Sequence, residues 1–174
     1  MKRMILTVAL VGTVVAAGAL AARADVNDSW ITTKAKIALL TQDGFSVSGA
    51  NVDTIDGNVT IHGKVDTKAD RTKAEQTVRE VKGVKTVKNL LQVVPPSMKH
   101  AVAANDADVK DRVGASLKTD TLMKNVNVAS VNNGVVLLSG KTENQTEKLR
   151  AIENAYTVPG VHRVASEIQT VVEN

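Results

Sequence analysis

One stretch of this chain is stated twice, and that repetition limits the possible folds more than any composition figure does. Asp56-Gly57-Asn58-Val59-Thr60-Ile61-His62-Gly63 reads as a tight turn, a strand and a second turn. Asn133-Gly134-Val135-Val136-Leu137-Leu138-Ser139-Gly140 repeats it 77 positions later. Residues 57–94 lie over 134–171 without a gap, and 11 of the 38 pairs are identical. The identities are mainly turn glycines and apolar positions, which a shared backbone requires. Solenoids need three or more stacked units, so two copies in 174 residues read as two self-contained domains.

Each copy spells the same order of elements. Asp28 or Ser29 can cap a first helix whose buried face is Ile31, Ala35, Ala38 and Leu39. Asp106 or Asp108 opens its counterpart, with Val109, Val113 and Leu117 on the face. A strand over Ala50–Ile55 runs into Asp56-Gly57, a hairpin signal; Asn133-Gly134 is the same signal in the second copy. In the returning strand Val59 and Ile61 point one way, and Asn58, Thr60 and His62 the other. Gly63 and Gly140 are expected to end or kink it.

A second helix over Thr67–Val81 follows, with Ala74, Val78 and Val81 at helical spacing and Ala151, Ala155 and Val158 as their counterparts. Thr142-Glu143-Asn144-Gln145 matches a capping box. Gly83 and Gly160 stand where a left-handed helix end favours glycine. The last strands cover Lys85–Val94 and His162–Val172. The fold class is therefore α+β: two tandem α-β-β-α-β domains, each a three-stranded mixed sheet with two helices on one face. Pro95-Pro96 closes the first unit. The expected boundaries are a leader at 1–24, a first domain at 25–95, a linker at 96–106, whose Ala101-Val102-Ala103-Ala104 run can join the next helix, and a second domain at 107–174. Units of this size are marginal alone, so the two are expected to touch.

The leader reading rests on a basic Met1-Lys2-Arg3 head, an apolar run from Ile5 to Ala22 and the small-x-small triplet Ala22-Arg23-Ala24. It predicts a secreted chain starting at Asp25; the competing reading is a retained membrane anchor, since the apolar run is close to the span of a bilayer. Removing the leader takes away Lys2, Arg3 and Arg23 and leaves 19 basic against 18 acidic side chains. A global electrostatic case for nucleic acid then fails, and one Trp, one Tyr and one Phe make no base-stacking platform. With no cysteine there are no disulfides, no thiolate chemistry and no lipidated cysteine start.

Asp56-Gly57 through Gly63, with Gly83-Val84-Lys85-Thr86-Val87, resembles the BON domain. Asn133-Gly134 through Gly140, with Gly160-Val161-His162-Arg163-Val164, resembles it again. Two copies behind a cleavable leader look like the osmotically inducible periplasmic proteins of Gram-negative bacteria. The resemblance implies a non-enzymatic periplasmic binding protein of envelope or osmotic stress that contacts anionic phospholipid or envelope surfaces peripherally. The runner-up is a chaperone-like or scaffolding protein with polypeptide clients. It implies no catalytic residue, no cofactor and no metal, and the sequence assigns no oligomeric state.

Few residues stand out chemically. His62, His100 and His162 lack metal-ligand spacing and read as surface histidines. Asp53 with Asp56, and Asp66 with Asp70, flank turns or helix starts and read as caps; Ser46 and Ser139 have no neighbouring base. Arg79, Lys82, Lys85 and Lys88 recur every third residue and are the candidate anionic-lipid contact. If Val59 and Val136 face the helices, Val135 and Leu137 form an apolar contact face on the opposite side of the second sheet. Trp30 reads as a staple onto the core, with a membrane anchor as the alternative. Gly57, Gly63, Gly83, Gly134, Gly140 and Gly160 are structural turn glycines.

Overall fold

The computed structural model describes residues 17–42 and 49–171. The first unit contains α1 (Ala17–Leu40), β1 (Asn51–Ile55), β2 (Asn58–Val65), α2 (Lys68–Arg79) and β3 (Thr86–Val93). The second contains α3 (Lys99–Lys118), β4 (Val126–Asn132), β5 (Val135–Thr142), α4 (Gln145–Tyr156) and β6 (Arg163–Thr170). The sheets run β1-β2-β3 and β4-β5-β6, with each hairpin antiparallel and each strand returning from a helix parallel to the central one. The leader predicted over 1–24 falls mostly outside the described residues; 17–24 are helical backbone continuous with α1. Among the described residues no helix is long and apolar enough to cross a membrane.

The repeated stretch does what its residues allow. Asp56 and Gly57 sit at φ 54° and 77°, Asn133 and Gly134 at 47° and 72°. Two successive positive φ values make the type I′ turn whose twist suits a hairpin. The strands pass through Gly63 and Gly140 rather than ending there. A side chain at either position would collide with a carbonyl oxygen, of Gly49 or of Asn125, so these glycines permit a backbone crossing.

Three local expectations are corrected. The glycines after the second helices are not helix caps: α2 closes at Glu80 and α4 at Thr157. Gly83 and Gly160 hold the third place of the next turn, closed by Val84 N–H to Val81 O and Val161 N–H to Val158 O at 3.1 Å each. The box at Thr142 is displaced, because Thr142 ends β5 and is buried; Asn144 caps α4 by accepting from Glu147 N–H at 2.9 Å. Its counterpart Thr67 forms a full box with Asp70. The expected linker 96–106 is a single 3₁₀ turn, Pro96–Met98, followed by α3, since nothing from Lys99 to Asn105 interrupts a helix and its alanines favour one.

Asp28 and Asp106 are not N-caps either. α1 begins well before Asp28, and its carboxylate instead reaches across to the hairpin. It accepts from Asp56 N–H at 2.6 Å and Gly57 N–H at 2.8 Å. Asp106 accepts from Asn133 N–H at 2.9 Å and Gly134 N–H at 3.1 Å. Each first helix is thereby pinned to the tip of its own hairpin. Behind the pin, Ile31, Ala35 and Leu39 pack with Val59, Ile61, Ala74, Val78 and Leu91; Val109, Val113 and Leu117 pack with Val136, Leu138, Ala151 and Ile168.

The helices cover one face of each sheet, and the remaining faces meet. Thr60 and His62 are buried, and Leu90 of β3 forms a cluster with Leu137 of β5 and Ala165 of β6. Burying two such leucines supplies about 1.5–3 kcal/mol each. Ion pairs reinforce the contact: Lys64 Nζ of β2 lies 2.8 Å from Asp106 Oδ2, and Lys99 of α3 lies 2.6 Å from Asp66.

Asp106 thus does what Asp28 does and also joins the units. Asp28→Ala is expected to lower stability by about 2–3 kcal/mol through two lost charge-assisted bonds. Asp106→Ala is expected to lower it by about 3–5 kcal/mol, because Lys64 also loses its partner. Urea unfolding of the two variants checks the order; equal losses would contradict it.

Candidate functional site

The first helix presents two unlike faces. Ile31, Ala35 and Leu39 point into the core, while Trp30, Ile37 and Leu40 are 58%, 54% and 72% exposed. The exposed three stand at i, i+7 and i+10, hence on one flank. Trp30 is therefore not a staple. The helix extends in front of it, so it is an outward mid-helix position rather than an entry residue folded back on the core. The Lys34 ammonium lies 5.0 Å over its ring, a cation–π contact.

The four basic residues at the end of the first unit do not form one flat patch. Arg79 on α2 is paired with Glu75 at 2.6 Å, and the Arg79 and Asn89 hydrogen bonds hold the Glu75 carboxyl below its ordinary value. Lys82, Lys85 and Lys88 are exposed and have no ion pair among the described residues. Lys88 shares its strand face with Leu90, away from the helices. Lys82 and Lys85 flank Gly83, and Lys85 lies over Gly57 with its N–H donating to Gly57 O at 2.8 Å. Ile31 packs against Gly83. The turn of α1 that carries Trp30 and Ile31 and the Lys82–Lys85 loop therefore lie at one end of the sheet.

The apolar face of the second sheet is filled from within the chain. Leu137 is 1% exposed against Leu90, and Val135 is also buried. The same packing corrects the reading of His62 as a surface residue, because the second unit covers its strand face. His62 Nε2 lies 2.9 Å from Asp53 Oδ2, so Asp53 is a partner for the ring rather than a cap. His162 packs over Gly134 as Lys85 packs over Gly57, and His100 is exposed on α3. Asp66 pairs with Lys99, and Asp70 completes the α2 capping box. Ser139 borders a cleft of about 680 Å³ between the units, together with Asp53, Asp56 and Glu167. Ser46 lies outside the described residues. Among the described residues no three potential ligands converge as for a metal ion.

Sequence reasoning passed over Ile37 and Leu40. The signal was there: once Ile31, Ala35 and Leu39 are assigned inward, Trp30, Ile37 and Leu40, at i, i+7 and i+10, are left on the opposite flank.

The His62 hydrogen bond, opposed by burial and aided by the charges of His62 and Lys36, holds the Asp53 carboxyl below its ordinary 3.8. The folded chain then binds that proton less readily than the unfolded chain. The resulting stability is full above about pH 4 and is lost as pH falls through the depressed folded value. Asp53→Asn is expected to flatten the fall of the thermal midpoint below about pH 4. A midpoint that falls as steeply in the variant as in the parent chain contradicts this role for the pair.

Residues 27–95 and 105–171 each match the BON domain. The chain is 30% identical over 147 residues to osmotically-inducible protein Y of Escherichia coli (strain K12), covering 83% of this chain and 73% of that one. Among solved structures it is similar to the C-terminal domain of CdsD, the structural protein of the type III secretion system of Chlamydia trachomatis. The identity is 16%, the coverage 83% of this chain and 67% of that one, and the TM-score 0.34. A second CdsD structure gives 12% identity, 78% and 90% coverage and a TM-score of 0.32. Those two likenesses are too low to carry an argument. The two domain matches and the curated relative place this chain in the BON domain family, with the domain present twice.

Proposed function

We propose that this is a non-enzymatic periplasmic protein of osmotic or envelope stress that rests peripherally on anionic phospholipid. The stress reading is supported by the name of its curated relative, and the periplasmic one by the leader sequence. The observation that carries the lipid reading is the outer flank of α1. Trp30, Ile37 and Leu40 are all more than half exposed on one helix, with Lys34 beside Trp30 and Lys82 and Lys85 at the same end. An exposed apolar flank with Lys34 beside its Trp30 suits the interface of a bilayer, where the apolar side chains enter the headgroup boundary and the ammonium group meets phosphate. From Trp30 to Leu40 the flank is about 15 Å long, so the helix would lie flat rather than insert end-on. Each basic residue near an anionic surface contributes about 1 kcal/mol, which favours reversible contact.

Trp30 is the single tryptophan, so its fluorescence reports the contact directly. Vesicles containing phosphatidylglycerol are expected to shift its emission to the blue and to sediment the mature chain, with binding that weakens as salt is raised. Ile37→Asp with Leu40→Asp is expected to reduce binding about tenfold or more. Replacing Lys82 and Lys85 by Gln is expected to reduce both affinity and salt dependence. Equal binding to phosphatidylcholine vesicles, salt-insensitive binding, or full binding by the α1 variant would each defeat the reading.

A further inference from the structure

We propose a second, separate binding surface: the groove between α3 and the outer edge of β4, which takes an extended acidic polypeptide segment as an added strand. Among the described residues β4 is an edge strand, paired only with β5. Val126 and Val128 face α3, Asn127 faces the other way, and all three line one groove of about 420 Å³. A groove bordered by both faces of a strand runs along that strand's edge. Among the described residues the backbone of Val126–Val128 bonds to no element other than β5. The register shift between Val128 and Ser130 breaks the ladder and limits the free edge to about three residues, or about 10 Å.

Gly114 is what keeps this edge open. It stands near the end of a 20-residue helix, where glycine weakens the helix relative to alanine. No packing demands it, since a side chain there would meet nothing within 4 Å. The helices correspond through Ile31 and Val109, Ala35 and Val113, and Leu39 and Leu117, so Lys36 holds this position in the first unit. Of the two units, only the second lacks a side chain at this position.

The charge of the groove selects the occupant. Lys110, Lys118 and Lys124 line it against one carboxylate, Asp111, and none of the three lysines has an ion pair among the described residues. Lysines beside an edge strand repel basic strands and further copies of themselves. They attract a strand with acidic side chains, while the free backbone groups supply the ladder bonds and the partly exposed Val128 an apolar contact. An acyl chain would leave those backbone groups unsatisfied, which favours a polypeptide over lipid here.

The test uses the whole mature chain and a short capped peptide alternating glutamate and valine. Amide chemical shifts are expected to move at Val126–Val128 and Gly114, with affinity falling as salt is raised. Gly114→Leu, which fills the groove, and the Lys110→Gln, Lys118→Gln, Lys124→Gln variant are each expected to weaken binding about tenfold or more. Circular dichroism distinguishes a filled groove from an unfolded chain, and the Lys36→Gly variant, which alters the other unit, is expected to bind as the parent does. Equal binding of a lysine–valine peptide, shifts confined to other elements, or undiminished binding by a folded Gly114→Leu variant would overturn the proposal. So would phosphatidylglycerol vesicles producing the same groove shifts, because the occupant would then be lipid. Loss of vesicle binding in the α1 variant with peptide binding intact separates this proposal from the lipid reading.

Discussion

Both units depend on one carboxylate that grips the tip of a hairpin. A type I′ turn holds two successive residues at positive φ, and its amide N–H groups point outward, away from the strand ladder. Left in a partly buried place without acceptors, they would oppose the packing of the first helix over the sheet. Asp28 and Asp106 supply the acceptors, two oxygens for two N–H groups in each unit. The bond sets how far along the sheet the helix sits. That in turn aligns Ile31 with Gly83, and Val109 with Gly160, so the turn after the second helix closes against the first. Helix, hairpin and crossover loop meet at one end because a single side chain fixes two of them.

The second unit extends the same device. Asp106 also accepts the Lys64 ammonium of β2, and β2 belongs to the first unit. A carboxylate with two backbone donors and one cation is well satisfied for a group with almost no exposure. It ties the orientation of the units to the geometry of a turn. Lys99 and Asp66 add a second tie near the start of α3. The stretch between the units is therefore helical and held from both sides, which explains how two small domains share their inner sheet faces.

What could be read from the sequence follows the range of the interactions. The hairpins, the strand alternation and the helix core faces depend on neighbours a few residues apart, and Asp56-Gly57 and Asn133-Gly134 specify them without help. The Asp28 clamp spans 28 residues, and its side chain has the same identity as an ordinary helix cap. Local reasoning therefore assigned the right residue to the wrong amides. His62 was legible as a strand residue on the polar face, but its neighbour on that face, Leu90, packs on Leu137 and Ala165 of the other domain, which no local pattern announces. The α4 cap was missed by two residues because Thr142 and Asn144 both suit that role, and only the length of β5 decides between them.

The packing of the sheets also decides where binding can occur. Each unit spends one sheet face on its helices and the other on its partner, so Val135 and Leu137 are consumed inside the chain. Besides the cleft between the units, the outer flank of the helices and the free strand edges remain for an outside partner. There the copies differ most: α1 carries Trp30, Ile37 and Leu40 outward, while α3 places Lys110 and Lys118 beside a gap at Gly114. Internal positions such as Val59 and Val136, or Ala74 and Ala151, are constrained to stay alike because both cores have the same shape. Outer positions are free of that constraint, so a duplicated fold can acquire two different surfaces without altering its hairpins. Exposed apolar side chains and an unfilled helix position both oppose solubility or helix stability, and neither is required by the core. Features that the fold does not need, placed on the surfaces that the fold leaves free, are where contact with other molecules is to be sought.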